Sequence, residues 1–138
     1  MKTIGVFYKE KILSLPRKSL KRVKIEDIWP EIVWVEEDLF GWKLKYKRFA
    51  KKIFIKVECR SEEEARYLKI FFERGAPDIF VPKSDDYLKE ILPMLEKKAK
   101  RIDEIMDHYL CTIFNRKKRD MLRGQLYQEV MKTEEPEE

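Results

Sequence analysis

Three consecutive stretches of the chain, residues 32–36, 42–47 and 52–59, are rich in strand-type residues, and apolar and polar positions alternate most regularly along the second. Alternation with a period of two is typical of a strand that buries one of its two faces. The connections between the stretches, EEDLFG and RFAK, are short enough for an antiparallel meander over about residues 32–59. Residues 3–8 are rich in β-branched and aromatic side chains and predict an additional N-terminal strand.

The pattern becomes helical after the meander. Ser61, followed three residues later by Glu64, predicts a capping box, in which the serine caps a backbone N–H and the glutamate reaches back to the serine N–H. A helix is therefore expected over about residues 62–74, and residues 79–81 predict a short returning strand. Residues 17–30 fit neither period well, so helix and strand both stay open there.

From about residue 84, apolar side chains recur at spacings of three and four, which predicts a helical C-terminal half. Pro93 either kinks the first of these helices or opens a new one. The sequence thus predicts an α+β fold: an antiparallel sheet, one helix packed on it, and a helical extension, all in a single domain over residues 1–132. The acidic residues 133–138 are expected to form a disordered tail.

Composition narrows the class of protein. Charged residues make up 41% of the 138 residues and hydrophobic residues 43%, which is too apolar for a disordered chain and too charged for a membrane protein. The longest stretch without a charged side chain is residues 108–115, eight residues, against about twenty for a membrane-spanning helix. We expect a cytoplasmic protein with no membrane partner.

Amide side chains are rare in this chain, which has one Asn and two Gln against 31 Lys plus Arg and 26 Asp plus Glu. The replacement of amides by charges is typical of proteins from hyperthermophiles. Because such proteins carry many lysines on any solvated face, the net charge of +5 has an explanation that requires no ligand.

The stretch WKLKYKR, residues 42–48, carries the most regular alternation. Its three apolar side chains should point to one face of a strand and its three lysines, Lys43, Lys45 and Lys47, to the other. We call these three lysines the lysine row. Matching the apolar faces of neighbouring strands places Phe54 and Lys56 beside the row. Ammonium groups neutralise phosphates and an exposed ring stacks on a base, so this face is a predicted platform for single-stranded nucleic acid.

Charge is distributed unevenly along the chain. Residues 1–60 contain 16 basic and 8 acidic side chains, whereas residues 61–138 contain 15 and 18. A second group of cations, here called the basic cluster, would add phosphate contacts from a helix: Arg116, Lys117, Lys118 and Arg119. The competing interpretation is an ordinary solvated sheet face, because Glu36, Glu37 and Asp38 lie across the hairpin and can pair with the first lysines. The sequence does not distinguish DNA from RNA.

Candidate chemistry centres on the only histidine, His108, which shares a helical stripe with Glu104 and Cys111. A carboxylate that orients an imidazole beside a thiol is the arrangement of a cysteine nucleophile. His108 and Cys111 would also ligate zinc if Cys59 completed the set. Such spacings are frequent in a Glu-rich helix, so we expect a structural role and assign no cofactor and no metal. Whether the two cysteines form a bridge stays open.

Interaction without catalysis is a third class of function. The long C-terminal helix carries many aromatic and Met side chains. Either the small sheet covers them all, or some of this apolar surface remains and is buried on a second copy of the chain. The leading hypothesis is a non-enzymatic, nucleic-acid-associated protein. An oligomeric or adaptor protein is the alternative, and a hydrolase or metal site around His108 is a remote one.

Overall fold

The computed structural model describes residues 4–25, 30–48, 54–74, 76 and 78–130. Along the chain the elements are α1 (Ile4–Phe7) with a π-helical continuation (Tyr8–Ile12), a 3₁₀ turn (Arg17–Ser19), β1 (Leu20–Lys24), β2 (Pro30–Asp38), β3 (Gly41–Arg48), β4 (Phe54–Cys59), α2 (Glu62–Phe72), β5 (Asp78–Pro82), α3 (Asp85–Leu110) and α4 (Arg116–Val130). The predicted α+β class is confirmed.

The predicted meander is confirmed as a three-stranded antiparallel sheet in the order β2-β3-β4. The hairpin between β2 and β3 turns through Leu39 and Phe40, and Asp38 Oδ1 accepts a hydrogen bond from the Phe40 N–H at 2.8 Å. Gly41 closes the turn with φ +114°, a backbone conformation that other residues rarely adopt. This turn sets the register of the sheet and decides which side chains face each other across its strands.

One face of this sheet, the inner face, packs on α2. Val33, Leu44 and Tyr46 of the sheet are buried in a core that they share with Leu68 and Phe71 of α2. The opposite face, which we call the outer face, carries the other half of the alternating side chains. The helix predicted over residues 62–74 is confirmed as α2 and determines which half of the sheet is buried.

The N-terminus of α2 is built around Glu64, whose side chain is fully buried. Half of the predicted capping box is confirmed, since Ser61 Oγ accepts a hydrogen bond from the Glu64 N–H at 3.2 Å. The other half differs from the prediction. The Glu64 carboxylate accepts from Arg60 Nη1 at 2.6 Å and from Lys21 Nζ at 3.2 Å, because a buried anion requires charged partners.

Arg60 extends this arrangement to two more elements. Its side chain donates to the carbonyl oxygen of Pro82 at 2.7 Å and to Asp85 Oδ1 at 3.0 Å. We call Lys21, Arg60, Glu64 and Asp85 the Glu64 cluster. Lys21 lies on β1, Pro82 ends β5 and Asp85 begins α3. The Glu64 cluster therefore ties β1, β5 and α3 to the start of α2.

β1 and β5 form a separate two-stranded antiparallel sheet. β1 comes from the part of the chain where the sequence left helix and strand open, and the short returning strand predicted at residues 79–81 is confirmed as β5. The pairing joins residues almost sixty positions apart, so no local pattern could reveal it. Residues 26–29 of the same ambiguous part lie outside the described residues.

The N-terminal strand predicted over residues 3–8 is wrong, because residues 4–12 are helical. Ile4, Tyr8 and Ile12 recur every four residues and are all buried, a helical spacing that the β-branched composition concealed. The helical backbone brings the Tyr8 ring to 5.4 Å from that of Phe71 and lets Tyr8 Oη accept a hydrogen bond from the Phe80 N–H at 2.9 Å. These tertiary contacts outweigh the β preference of the single residues.

α3 continues through Pro93, so the alternative that this proline opens a new helix is wrong. The predicted cap is confirmed: Ser84 Oγ accepts a hydrogen bond from the Tyr87 N–H at 3.2 Å. Leu88 and Leu92 in the first half of α3 are buried in the main core.

α4 packs on the second half of α3, where Tyr127 Oη donates a hydrogen bond to Asp103 Oδ1 at 2.6 Å. Among the described residues, no helix is both long enough and apolar enough to cross a membrane. The tail predicted at 133–138 lies outside them.

Candidate nucleic-acid interface

The lysine row lies on the outer face of the three-stranded sheet, as the alternation predicts. The register of β3 and β4 pairs Lys45 with Lys56 and Lys47 with Phe54. Directly paired residues of an antiparallel sheet point to the same face, so Phe54 and Lys56 stand beside the row. The sequence interpretation placed these side chains together correctly.

β2 adds two apolar side chains that the sequence interpretation missed. Its register pairs Trp34 with Lys45 and Ile32 with Lys47. The rings of Trp34 and Phe54 come from opposite sides of β3 and meet with their centroids 5.2 Å apart and their planes at 84°. Phe54 is 55% exposed and Ile32 53%. The sequence contained the signal, since Ile32, Trp34 and Glu36 are two residues apart and so point to the same face. The register between β2 and β3 was needed to show that this face is the one with the lysine row.

Lys43 points to the outer face but is engaged by carboxylates at the hairpin. Its side chain is buried, and its Nζ donates to both carboxylate oxygens of Asp38, at 2.6 and 2.7 Å. Glu58 lies 3.8 Å from the same Nζ, and the Phe40 ring centroid 5.6 Å. The hydrogen bonds from Lys43 and from the Phe40 N–H lower the pKa of the Asp38 carboxyl. The hydrogen bond between Lys43 and Asp38 also raises the pKa of Lys43. Lys43 is therefore held at the hairpin by Asp38, and a phosphate would have to displace that carboxylate to reach it.

The remaining lysines of the outer face differ in exposure. Lys45 forms an ion pair with Glu36 and its side chain is only 17% exposed. Lys47 is half-buried. Lys56 is exposed, and no carboxylate in the described ranges forms an ion pair with it. Lys56, which lies beside the lysine row and not in it, is therefore an exposed cation that a ligand can reach.

The outer face consequently has two unlike ends. At the hairpin end, carboxylates match the lysines. We call the other end the open end and define it by Ile32, Trp34, Lys47, Phe54 and Lys56. It combines exposed apolar and aromatic side chains with lysines, and it lies on the side of the sheet away from α2.

The basic cluster is not part of this face. It begins α4, which packs on α3, which in turn packs on α2 and so on the inner side of the sheet. Within the cluster Arg116 lies 3.9 Å from Asp120, whereas Lys117 and Lys118 are exposed. The structure therefore does not join the two predicted groups of phosphate ligands into one surface.

Among the residues that the structure describes, no hydrogen bond joins the side chains of Glu104, His108 and Cys111 to one another. Cys111 Sγ donates to the backbone carbonyl oxygen of His108 at 3.0 Å, and the imidazole makes an edge contact with the Tyr109 ring at 6.4 Å. In the described part of the chain no three His, Cys, Asp or Glu side chains are grouped closely enough to hold a metal ion. The helical spacing of these three residues therefore does not by itself establish a catalytic or metal site.

Cys59 lies in β4 and Cys111 follows α3, and both thiols are free. Cys59 is half-buried, and this burial, with the nearby Glu64 carboxylate, raises the pKa of its thiol to about 11. Cys59 and Cys111 therefore form no disulfide with each other.

Comparison with known proteins adds no assignment: no family model matches the chain, and neither the characterised proteins nor the solved structures that were compared contain a match.

The two thiols should differ strongly in reactivity. At about pH 8 a thiol reagent should modify the exposed Cys111 first and Cys59 far more slowly, because the thiolate is the reacting species and the pKa of Cys59 is about 11. The Cys59 rate should rise about tenfold per pH unit up to that value. Time-resolved absorbance with a chromogenic disulfide measures both rates, and a Cys111→Ser variant isolates the slow one. Equal rates in the native protein, or Cys111 reacting faster than an ordinary free thiol, would contradict this assignment.

Proposed function

We propose that the protein binds single-stranded nucleic acid on the open end of the outer face. The observation that supports this most directly is Phe54, whose ring stands more than half exposed on the sheet, against Trp34 and beside Lys56. Proteins that hold single strands combine stacking rings with cations, since every base has a flat face and every nucleotide a phosphate.

The distribution of charge supports the open end over the hairpin end. At the hairpin end a phosphate would meet Asp38, Glu36 and Glu58, and would have to displace existing ion pairs. At the open end Lys56 has no ion pair to lose among the described residues. The segment that connects β3 to β4 has two more lysines in its sequence, Lys51 and Lys52. Few contacts of this kind imply weak, sequence-tolerant binding with a strong dependence on salt.

Removing the exposed ring should weaken binding without changing its salt dependence. Phe54→Ala should reduce the affinity for a short oligothymidylate by about 1–3 kcal/mol, because base stacking on the ring is lost and no counterion is involved. Fluorescence anisotropy of a labelled oligonucleotide at several salt concentrations measures both quantities. Phe40→Ala is the matched control: this ring is also exposed, at 87%, but lies at the hairpin end and should have little effect.

Removing the ammonium group of Lys56 should change the salt dependence of binding. Lys56→Gln should flatten the log–log dependence of affinity on salt by about 0.7, the value for one neutralised phosphate of a single strand. Lys97→Gln, the same change at an exposed position of α3, should leave the slope unchanged. A parent protein that fails to bind at low salt, or a Lys97 variant that behaves like the Lys56 variant, would remove the proposal.

A second candidate function is self-association through the C-terminal helices. Three large apolar side chains around the junction of α3 and α4 are strongly exposed: Tyr109 by 71%, Phe114 by 95% and Met121 by 60%. Exposed apolar groups that lie near one another are typical of surfaces that bury themselves on a partner.

Self-association predicts a mass in solution of at least twice the 16.9 kDa of one chain. Phe114→Glu should return a folded monomer, since it puts a charge in place of the most exposed of these three side chains. Light scattering at increasing concentration measures this. A parent protein that stays monomeric at high concentration would exclude it and leave the outer-face proposal untouched.

A further inference from the structure

The turn between β2 and β3 carries two strongly exposed apolar side chains, which we call the hairpin tip: Leu39 is 99% exposed and Phe40 87%. Turns are usually built from Gly, Pro, Asn, Asp and Ser. Here Asp38 and Gly41 satisfy the turn, since Asp38 accepts a hydrogen bond from the Phe40 N–H and Gly41 adopts φ +114°. The fold therefore does not require apolar side chains at the hairpin tip, and their exposure is typical of a contact surface.

The surroundings of the hairpin tip are acidic. Four carboxylates and two lysines lie at this end of the three strands: Glu36, Glu37, Asp38 and Glu58, with Lys43 and Lys45. Both lysines are engaged in ion pairs with these carboxylates. Glu37 is exposed and forms no ion pair within the described ranges. The hairpin tip is thus an apolar pair with an excess of negative charge around it.

The junction of α3 and α4 combines exposed apolar side chains with the opposite charge. Tyr109, Phe114 and Met121, which we call the junction patch, are exposed by 71%, 95% and 60%. Residues 116–123, which include the basic cluster, contain five basic side chains and one acidic one. The junction patch therefore matches the hairpin tip in apolar character and opposes it in charge.

Phe114 is exposed because the local helix motif gives it no apolar neighbour. Asn115 caps α4, and its Oδ1 accepts a hydrogen bond from the Lys118 N–H at 3.0 Å. An apolar residue that precedes a cap often packs on the fourth residue of the helix. That residue is Arg119, so the usual apolar contact is missing and the ring points to solvent.

A cavity of about 520 Å³ lies between the end of α3 and the start of α4, and three arginines and two aspartates are among the residues that line it: Arg116, Arg119, Arg123, Asp107 and Asp120. Arg123 is paired with Asp107 at 2.6 Å, and Arg116 lies 3.9 Å from Asp120. In the described part of the chain no carboxylate forms an ion pair with Arg119. The lining thus has one cation in excess, which favours a carboxylate as its occupant.

We propose that the hairpin tip of one copy of the chain docks on the junction patch of a second copy, with its carboxylates toward the basic cluster. This inference rests on the second candidate function, self-association, and specifies its geometry. Opposite charges across a contact attract and orient the partners, whereas two junction patches in contact would bring two basic clusters together. Two different surfaces meet, so the contact is head-to-tail, and two copies joined by one such contact leave one hairpin tip and one junction patch free.

The response of association to salt tests the charge arrangement. Association should weaken as salt rises from about 50 to about 500 mM, because screening reduces the attraction between opposite charges. A contact between two junction patches should strengthen instead, because screening reduces the repulsion between two basic clusters. Sedimentation velocity at each salt concentration measures the change. Association that strengthens with salt would overturn the head-to-tail contact.

Two variants that each disable one half of the contact test its geometry. Phe40→Lys disables the hairpin tip and Phe114→Glu the junction patch, so each variant alone should sediment as a monomer. Mixed in equal amounts, they should form a complex of two chains and no larger one, because one intact hairpin tip meets one intact junction patch. Met94→Lys, the same change at an apolar side chain of α3 that is 37% exposed, should associate as the parent does.

The same variants separate this contact from self-association in general. If the Phe40 variant associates as the parent does while the Phe114 variant is monomeric, self-association stands and the docking of the hairpin tip is overturned. Two monomeric variants that keep the parent's circular dichroism spectrum but form no mixed complex would also overturn it. A parent protein that stays monomeric at high concentration removes both self-association and this contact.

Discussion

The buried carboxylate of Glu64 is the constraint on which the rest of the structure depends. Moving a carboxylate out of water costs several kcal/mol, and this cost is offset only where cations and hydrogen bonds replace the lost water. Arg60 and Lys21 do so, and because both keep part of their side chains in solvent, at 29% and 46%, they remain hydrated while they pair. β1 must therefore lie beside the start of α2. Arg60 fixes the end of β5 and the start of α3 there as well.

This arrangement also determines which surfaces are free for function. With α2 held on the inner face, Val33, Leu44 and Tyr46 are buried and the other half of the alternating side chains remains outside. The hairpin then pairs Lys43 with Asp38, and Lys45 with Glu36, so the regular lysine spacing does not produce a regular row of free charges. The proposed binding surface therefore lies where this pairing ends, beside Trp34, Phe54 and Lys56.

Local signals predicted the meander, α2 and the alternation of residues 42–47, because strand period, helix period and the Ser61 cap are each encoded within a few neighbouring residues. The helical segment Ile4–Ile12 was mistaken for a strand because the contacts of Tyr8 with α2 and β5 depend on distant residues. The same limit applies to the site. The sequence placed Phe54 and Lys56 beside the row but could not show that Lys43 would be buried by Asp38, or that Trp34 would reach across β3.

Chemical-shift mapping of the backbone amides tests the central claim most directly. An oligothymidylate of about ten nucleotides, within the size that single-strand platforms cover, would be titrated into labelled protein at low salt. The account predicts that the largest shifts fall at Ile32, Trp34, Phe54 and Lys56, with Lys43 and the basic cluster of α4 nearly unchanged. Shifts centred on α4 or on the hairpin at Asp38, or no shifts at all, would contradict it.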